Sequence, residues 1–308
     1  MKSALLFSGQ GSQYVGMLND IYSEYPLAKT QIESADEILG YKLSNICFDG
    51  PSETLKETRY TQPALFLHEA VIIDLLRNKL QYDAVAGHSV AEYSALYAAN
   101  VISFNDALKL VSLRGELMFR AGESEPGTMF AIINLDDDKV ETVCRQLTEN
   151  GNGNVVVPAN YNSPGQIVVS GSAQFLRDNI FAFKEAGTKI VKELVVSGAF
   201  HSPLMQPAKQ ELEKAINSIN FNNAECPVYS NVYAKPLTKA EEIKEALILQ
   251  LTSPVLWTQT MLNMKKAGID KYIEIGPGNV LQGLVKRTLT DIEFFGIDKS
   301  QDITKFLT

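Results

Sequence analysis

The segment Ala86-Gly87-His88-Ser89-Val90-Ala91-Glu92 sets a serine between an apolar run, Tyr82 to Ala86, and an alanine-rich stretch, Ala91 to Ala99. The first predicts a buried strand and the second a helix. A serine in a sharp strand-to-helix turn has its Oγ lifted clear of the backbone. The N–H of the next residue, here Val90, then points at the oxyanion that forms when Oγ attacks a carbonyl. The chemistry this suggests is acyl transfer with Ser89 as nucleophile. The small-x-Ser-x-Gly spacing is incomplete, because Ala91 occupies the second glycine position and adds a methyl where strand and helix approach. Such turns also occur without catalysis, so the serine needs a partner.

The search for a base is short, since the chain has three histidines. His88 adjoins the serine, and neighbouring side chains around such a turn diverge, so packing or orienting the turn suits it better. His68 shares a helical apolar spacing with Leu65 and Ile72 and reads as a hydrogen-bonded core residue. His201 lies in Ser197-Gly198-Ala199-Phe200-His201-Ser202-Pro203, a loop before a proline that could open a helix. It is the candidate base. No Asp or Glu stands out as a third member, which favours a Ser-His dyad whose imidazole is oriented by a backbone carbonyl. Histidines so dispersed make a metal site improbable.

Arg114 falls within the apolar stripe Ala107, Leu110, Val111, Leu117 and Met118 of a helix expected over Phe104 to Arg120. A guanidinium cannot neutralise itself by losing a proton, and its planar fork matches a carboxylate. Three readings follow: a structural salt bridge, a stem that reaches solvent, or a clamp for an anionic substrate.

These residues need a scaffold. The 308 residues, 45 % hydrophobic and 21 % charged, suffice for a large core or for a core with an inserted domain. Lys2 to Phe7 reads as a strand ending at Ser8-Gly9-Gln10-Gly11-Ser12-Gln13. Helical patterns cover 16 to 39 and 63 to 80, an alternation that implies an α/β core with parallel strands. Between about 127 and 195 the order becomes strand (Thr128 to Asn134), helix (Asp136 to Glu149), strand (Asn154 to Ala159), strand (Gln166 to Ser170), helix (Ala173 to Ala186), strand (Lys189 to Val195). That βαββαβ order is the ferredoxin-like unit. The α/β pattern resumes and ends in the strand Lys271 to Ile275, the turn Gly276-Pro277-Gly278-Asn279 and a helix through Arg287. The expected division is a discontinuous large domain, 1–126 and 196–308, around a small domain, 127–195.

Composition excludes several classes. A net charge of −8 and a pI near 5.1 disfavour nucleic acid as partner. No apolar run approaches the roughly 20 residues of a membrane span, and the N-terminal run lacks the features of a signal peptide, so a cytoplasmic location is expected. Cys47, Cys144 and Cys226 are far apart and odd in number, which forms no disulfide framework and no CxxC motif.

Taken in order, Gly9-Gln10-Gly11-Ser12-Gln13, Gly87-His88-Ser89, Leu113-Arg114-Gly115, Asn162-Ser163-Pro164-Gly165-Gln166, Phe200-His201-Ser202, Gln250-Leu251 with Pro254-Val255, and Glu274-Ile275-Gly276-Pro277-Gly278 span almost the whole chain. The set resembles the malonyl-CoA:acyl-carrier-protein transacylase family. The resemblance implies a hydrolase-like parallel-sheet core with an inserted ferredoxin-like domain. It also implies that Ser89 attacks the thioester of malonyl-CoA, with His201 carrying the proton, Val90 and Gln10 supplying oxyanion N–H groups, and Arg114 holding the malonyl carboxylate. Gln250 would orient the histidine through its carbonyl, and Asn160 would approach the cleft. Phe200 beside the base would fill the space that an α-methyl branch needs. The acyl group would pass to the phosphopantetheine thiol of an acyl carrier protein in fatty-acid synthesis, with malonyl-CoA as substrate and no cofactor. The alternatives are the same transfer serving a polyketide synthase in trans and a proofreading acyl hydrolase. Two positions depart from the family pattern, Ser8 where proline is usual and Ala91 in the turn. Acyl carrier proteins are acidic, and Lys189, Lys192, Lys286 and Arg287 are candidates for a local basic patch, though each also reads as an ordinary solvated side chain.

Overall fold

The computed structural model describes residues 1–307. Its strands are β1 (Lys2–Phe7), β2 (Ala84–Gly87), β3 (Gly127–Ile133), β4 (Val156–Ser163), β5 (Gln166–Ser172), β6 (Ile190–Glu193), β7 (Val228–Tyr229), β8 (Pro236–Leu237), β9 (Ile269–Ile275) and β10 (Glu293–Ile297). One sheet runs in the order β10-β9-β1-β2-β7-β8. Its members are parallel except β8, which returns antiparallel to β7. The other sheet, β4-β5-β3-β6, is antiparallel throughout.

Burial follows from side-chain alternation on the central strand. On β1, Leu5 and Phe7 enter one buried cluster and Ala4 and Leu6 the other, so helices cover both faces of the parallel sheet. The first cluster packs against the helix Thr58–Leu76 through Leu65, Ala70 and Ile73, and the second is filled by Trp257 and Met261. A separate cluster of Phe130, Ile132, Val169, Leu176 and Phe183 lies against the small sheet.

The fold class read from the motifs, a parallel-sheet core with a ferredoxin-like unit, is the one observed. From β3 to β6 the chain follows βαββαβ, with the helix Asp137–Glu149 after β3 and two short helices, Ala173–Asn179 and Phe181–Glu185, before β6. The single helix expected there is broken at Ile180. A second difference concerns Pro63. The helix expected to begin at that residue starts at Thr58 and carries Pro63 inside it. At this sixth position the proline removes the N–H that would bond the Arg59 carbonyl, so the helix forgoes one backbone bond there.

Candidate active site

Four chain segments meet at the C-terminal ends of β1 and β2. The first is the turn after β2. Ser89 adopts φ 56°, in the left-handed region that a side chain seldom occupies, and begins a short 3-10 turn, Ser89–Ala91, leading into the helix Glu92–Ala98. Gly87 permits the tight crossing: a Cβ there would stand 1.8 Å from the Ala91 carbonyl oxygen. The close approach therefore falls on Gly87, and the Ala91 methyl is accommodated in the large buried cluster. Asn231 braces the strained turn from outside, with Oδ1 accepting from Ser89 N at 2.8 Å and Nδ2 donating to Gly87 O at 2.7 Å.

The second segment carries His201, also at a positive φ of 57°. Its loop rests on the helix Phe104–Ser124, where a Cβ on Gly122 would stand 1.6 Å from Ser197 O. His201 Nε2 lies 2.7 Å from Ser89 Oγ. On the other side of the ring, Nδ1 faces two carbonyl oxygens, Gln250 O at 3.0 Å and Ser253 O at 3.1 Å. Carbonyls only accept, so Nδ1 carries the proton and Nε2 presents its lone pair to the serine hydroxyl. Burial, followed by the positive charge of Arg114, holds the imidazole down to about 3, against the two carbonyl hydrogen bonds. The resting histidine is a neutral acceptor.

Arg114 is the third element. The helix Phe104–Ser124 starts at the Ser103 cap and turns Ala107, Leu110, Val111, Leu117 and Met118 into the core, and Arg114 goes with them at 1 % exposure. Its Nη1 donates to Gln62 Oε1 at 2.8 Å, and its Nη2 donates to Gln250 Oε1 at 3.0 Å and to Ser89 Oγ at 3.2 Å. Nε has no partner. No ion pair among the described residues includes Arg114, which removes the salt-bridge reading, and its burial removes the solvent-reaching one. Burial lowers its pKa from the ordinary value, while Tyr93 and Glu92 oppose the shift. A guanidinium held by neutral amides in the interior is a site for an anion that arrives from elsewhere.

The fourth segment is the loop after β1. Gln10 lines the same cavity as Ser89, Val90, Arg114, Asn160, Phe200 and His201. Neither Gln10 N–H nor Val90 N–H donates to a protein acceptor among the described residues. The cavity measures about 140 Å³. That is below the roughly 300 Å³ at which pockets begin to hold drug-sized ligands, so it suits the acyl end of a substrate rather than a whole nucleotide. Its far wall comes from the small sheet, through Met129, Asn160 and Val168.

His88 turns away from Ser89. Its Nε2 is 2.9 Å from Asn162 Oδ1, and its ring packs edge-on against Trp257 at 5.3 Å. His68 is fully buried, with Nε2 3.2 Å from Asp298 Oδ1. Lys189, Lys192, Lys286 and Arg287 are exposed and lie outside the cavity, and Arg287 donates to Gln166 Oε1 at 2.8 Å. Four residues of the site escaped the sequence reading: Gln62, Glu92, Asn231 and the side chain of Gln250. All are buried polar groups. Gln62 gave the clearest available signal, an amide directly before the apolar run Pro63 to Leu67, whereas nothing marked Asn231.

A family described as acyl transferase domain matches residues 4–304. The malonyl CoA-acyl carrier protein transacylase of Haemophilus influenzae is 41 % identical over 308 residues, covering 99 % of this chain and 97 % of that protein. Among solved structures, an acyl carrier protein S-malonyltransferase from Vibrio cholerae superimposes with a TM-score of 0.94 at 41 % identity, covering 99 % of each chain. A malonyl-transacylase in complex with its type II PKS acyl-carrier protein gives a TM-score of 0.94 at 37 % identity, covering 100 % of this chain and 99 % of that one. Matched over residues 4–304 and by relatives at such identity over nearly their full length, the chain belongs to the acyl transferase domain family.

Proposed function

We propose that this protein moves a malonyl group from malonyl-CoA to the phosphopantetheine thiol of an acyl carrier protein through a malonyl-serine at Ser89. The observation that carries the reading is Arg114, a buried guanidinium without a carboxylate, 3.2 Å from the nucleophile oxygen. The free carboxylate of a malonyl thioester is two bonds from the reacting carbonyl carbon, so a clamp that close to Ser89 suits a short diacid.

In the first half-reaction Ser89 Oγ attacks the thioester carbonyl while His201 Nε2 takes the hydroxyl proton. Charge moves onto the carbonyl oxygen, where Val90 N–H and Gln10 N–H receive it. Loss of one such donor costs about 2.7 to 4 kcal/mol in a protease. The carbon–sulfur bond breaks, and the proton on His201 passes to the departing coenzyme A thiolate. The second half runs in reverse: His201 takes the proton of the carrier thiol, the thiolate attacks the malonyl-serine, and Ser89 recovers its proton. Gln250 O and Ser253 O stabilise the imidazolium in both halves. The chemistry calls on no cofactor, since coenzyme A enters as substrate.

Fatty-acid synthesis is the pathway we assign, which suits the names of the curated relatives. A second reading, loading of a polyketide carrier, is favoured by the similarity to the malonyl-transacylase bound to a type II PKS acyl-carrier protein. A cytoplasmic location goes with three unpaired cysteines and with the absence, among the described residues, of any helix long and apolar enough to cross a membrane.

The test is mass measurement after incubation with malonyl-CoA. A malonyl adduct is expected on the peptide containing Ser89, none on Ser89→Ala, and slow formation on His201→Ala. Added carrier protein should discharge the adduct much faster than water does. Release of malonate without carrier at the transfer rate would replace this reading with a hydrolase.

A further inference from the structure

Glu92 is the first residue of the helix that follows the nucleophile turn, and its side chain is 3 % exposed. Its Oε2 accepts from Gln250 Nε2 at 2.5 Å, and its Oε1 faces Asn231 N at 3.4 Å. Each partner holds part of the reacting apparatus. Asn231 braces the Ser89 turn on both sides. Gln250 accepts from Arg114 through Oε1, donates to Ser89 O at 2.9 Å, and orients His201 through its carbonyl.

A carboxylate only accepts, so it dictates which way a neighbouring amide points. With Nε2 drawn to Glu92, the Gln250 oxygen is left facing the guanidinium. The reversed amide would set a donor against a donor. Glu92 also brings a negative charge into the neighbourhood of Arg114 without touching it, so the fork stays open to a substrate carboxylate. Both oxygens face donors, and a proton added to the acid would displace one of these contacts.

We propose that Glu92 is a positioning residue for malonyl transfer: its carboxylate, acting through Gln250 and Asn231, holds the Arg114 clamp and the Ser89 turn in working geometry. The proposal rests on the malonyl-serine reading above. It goes further by giving the reaction a charge requirement that none of the groups in contact with substrate supplies.

The requirement has a pH signature. Burial raises the Glu92 carboxyl to about 7, opposed by its hydrogen bonds to Gln250 and Asn231 and by Arg114. The ionisable groups around it are Tyr93 on its own helix, Arg114, the two histidines of the site, and Glu69, which accepts from Ser94 on the Glu92 helix and whose carboxyl burial raises well above its ordinary value. Burial pushes the Tyr93 phenol up and the His88 imidazole down, and His201 is held at about 3. Among the groups bonded to Gln250 and Asn231, Glu92 is the one that changes charge near neutral pH. Since the carboxylate is the working form, acylation falls as pH drops through about 7, by about tenfold per unit until the protonated enzyme's own rate is reached.

The experiment follows single-turnover malonyl-serine formation between pH 5.5 and 8.5 in wild type, Glu92→Gln and Glu92→Asp, with thermal melts of each. Expected are an acid limb near pH 7 in wild type and a Glu92→Gln rate at pH 8 at least tenfold lower that hardly varies with pH. Glu92→Asp, which keeps the charge on a shorter stem, should retain the limb at a reduced rate. A wild type without the limb, or Glu92→Gln with wild-type rate and limb, overturns the proposal. If Glu92→Gln does not fold, Glu92→Asp decides, and a flat profile there overturns it. Wild type that forms no adduct at any pH overturns the underlying function instead.

Discussion

Arg114 Nη2 and Gln250 Oε1 lie 3.0 Å apart, 136 positions from each other in sequence, and the contact joins a charged group to a neutral one. An amide partner satisfies the donor geometry of the guanidinium without placing a carboxylate in contact with it, which keeps an anion site available in the interior.

Removing that charge should therefore change selectivity. Acetyl-CoA leaves the wild-type guanidinium buried and unpaired, at a cost of about 1 to 3 kcal/mol or more. For Arg114→Ala, kcat/KM with malonyl-CoA should fall about 100-fold or more, with an unchanged or improved value for acetyl-CoA. Arg114→Lys should recover part of the malonyl activity, since a point charge cannot reproduce the fork. Equal proportional losses on both thioesters would mean that Arg114 only supports the fold.

Phe200 sets a second preference. Its ring lines the cavity next to the base at 6 % exposure. Truncation to Ala opens space for an α-methyl branch, and one methyl in an apolar pocket is worth about 1 to 3 kcal/mol. The ratio of kcat/KM for methylmalonyl-CoA over malonyl-CoA should rise at least tenfold in Phe200→Ala. An unchanged ratio would place the branch elsewhere in the site.

His201 predicts the acid side of stability. Unfolded, the imidazole titrates near its ordinary 6.5, and folded it titrates at about 3. Between those values the unfolded chain binds a proton that the folded chain refuses. Stability from this group is thus full above 6.5 and is lost as pH falls towards 3. At pH 5 the loss is about 2 kcal/mol, at roughly 1.4 kcal/mol per unit. Glu92 acts with the opposite sign, because its raised carboxyl favours the folded state as pH falls, but it is present in both proteins compared. Urea unfolding of His201→Gln should lose about 2 kcal/mol less than wild type between pH 7.5 and 5. Parallel losses would show that the imidazole is not held neutral.

The turn itself offers a structural test. Gly87→Ala drives a methyl into the rigid backbone carbonyl of Ala91, and should destabilise by more than about 4 kcal/mol or abolish soluble expression. Ala91→Gly should change stability by about 1 kcal/mol, the ordinary cost of glycine in a helical position. Thermal melts of both separate the two positions. A mild effect at Gly87 would mean that the turn yields more easily than its geometry indicates.

The sequence by itself determined the local pieces. Apolar runs of strand length, helical stripes and glycine turns are short-range patterns, so the parallel core, the βαββαβ unit and the sharp strand-to-helix turn that carries Ser89 could be read from neighbours along the chain. The oddity of Arg114 was equally legible, because a cation on an apolar stripe conflicts with its own surroundings. What the guanidinium meets was not legible. Gln62, Gln250 and Ser89 come from three separate elements, and only their convergence shows that no carboxylate awaits it. Asn231 sits 142 residues from the serine it braces, and Glu92 sits 158 from Gln250. Buried amides and acids carry no periodic signature, since each is defined by one distant partner rather than by a repeating face. The tautomer and low pKa of His201 were likewise decided by two carbonyls and by burial, which exist only once the chain has closed around the site.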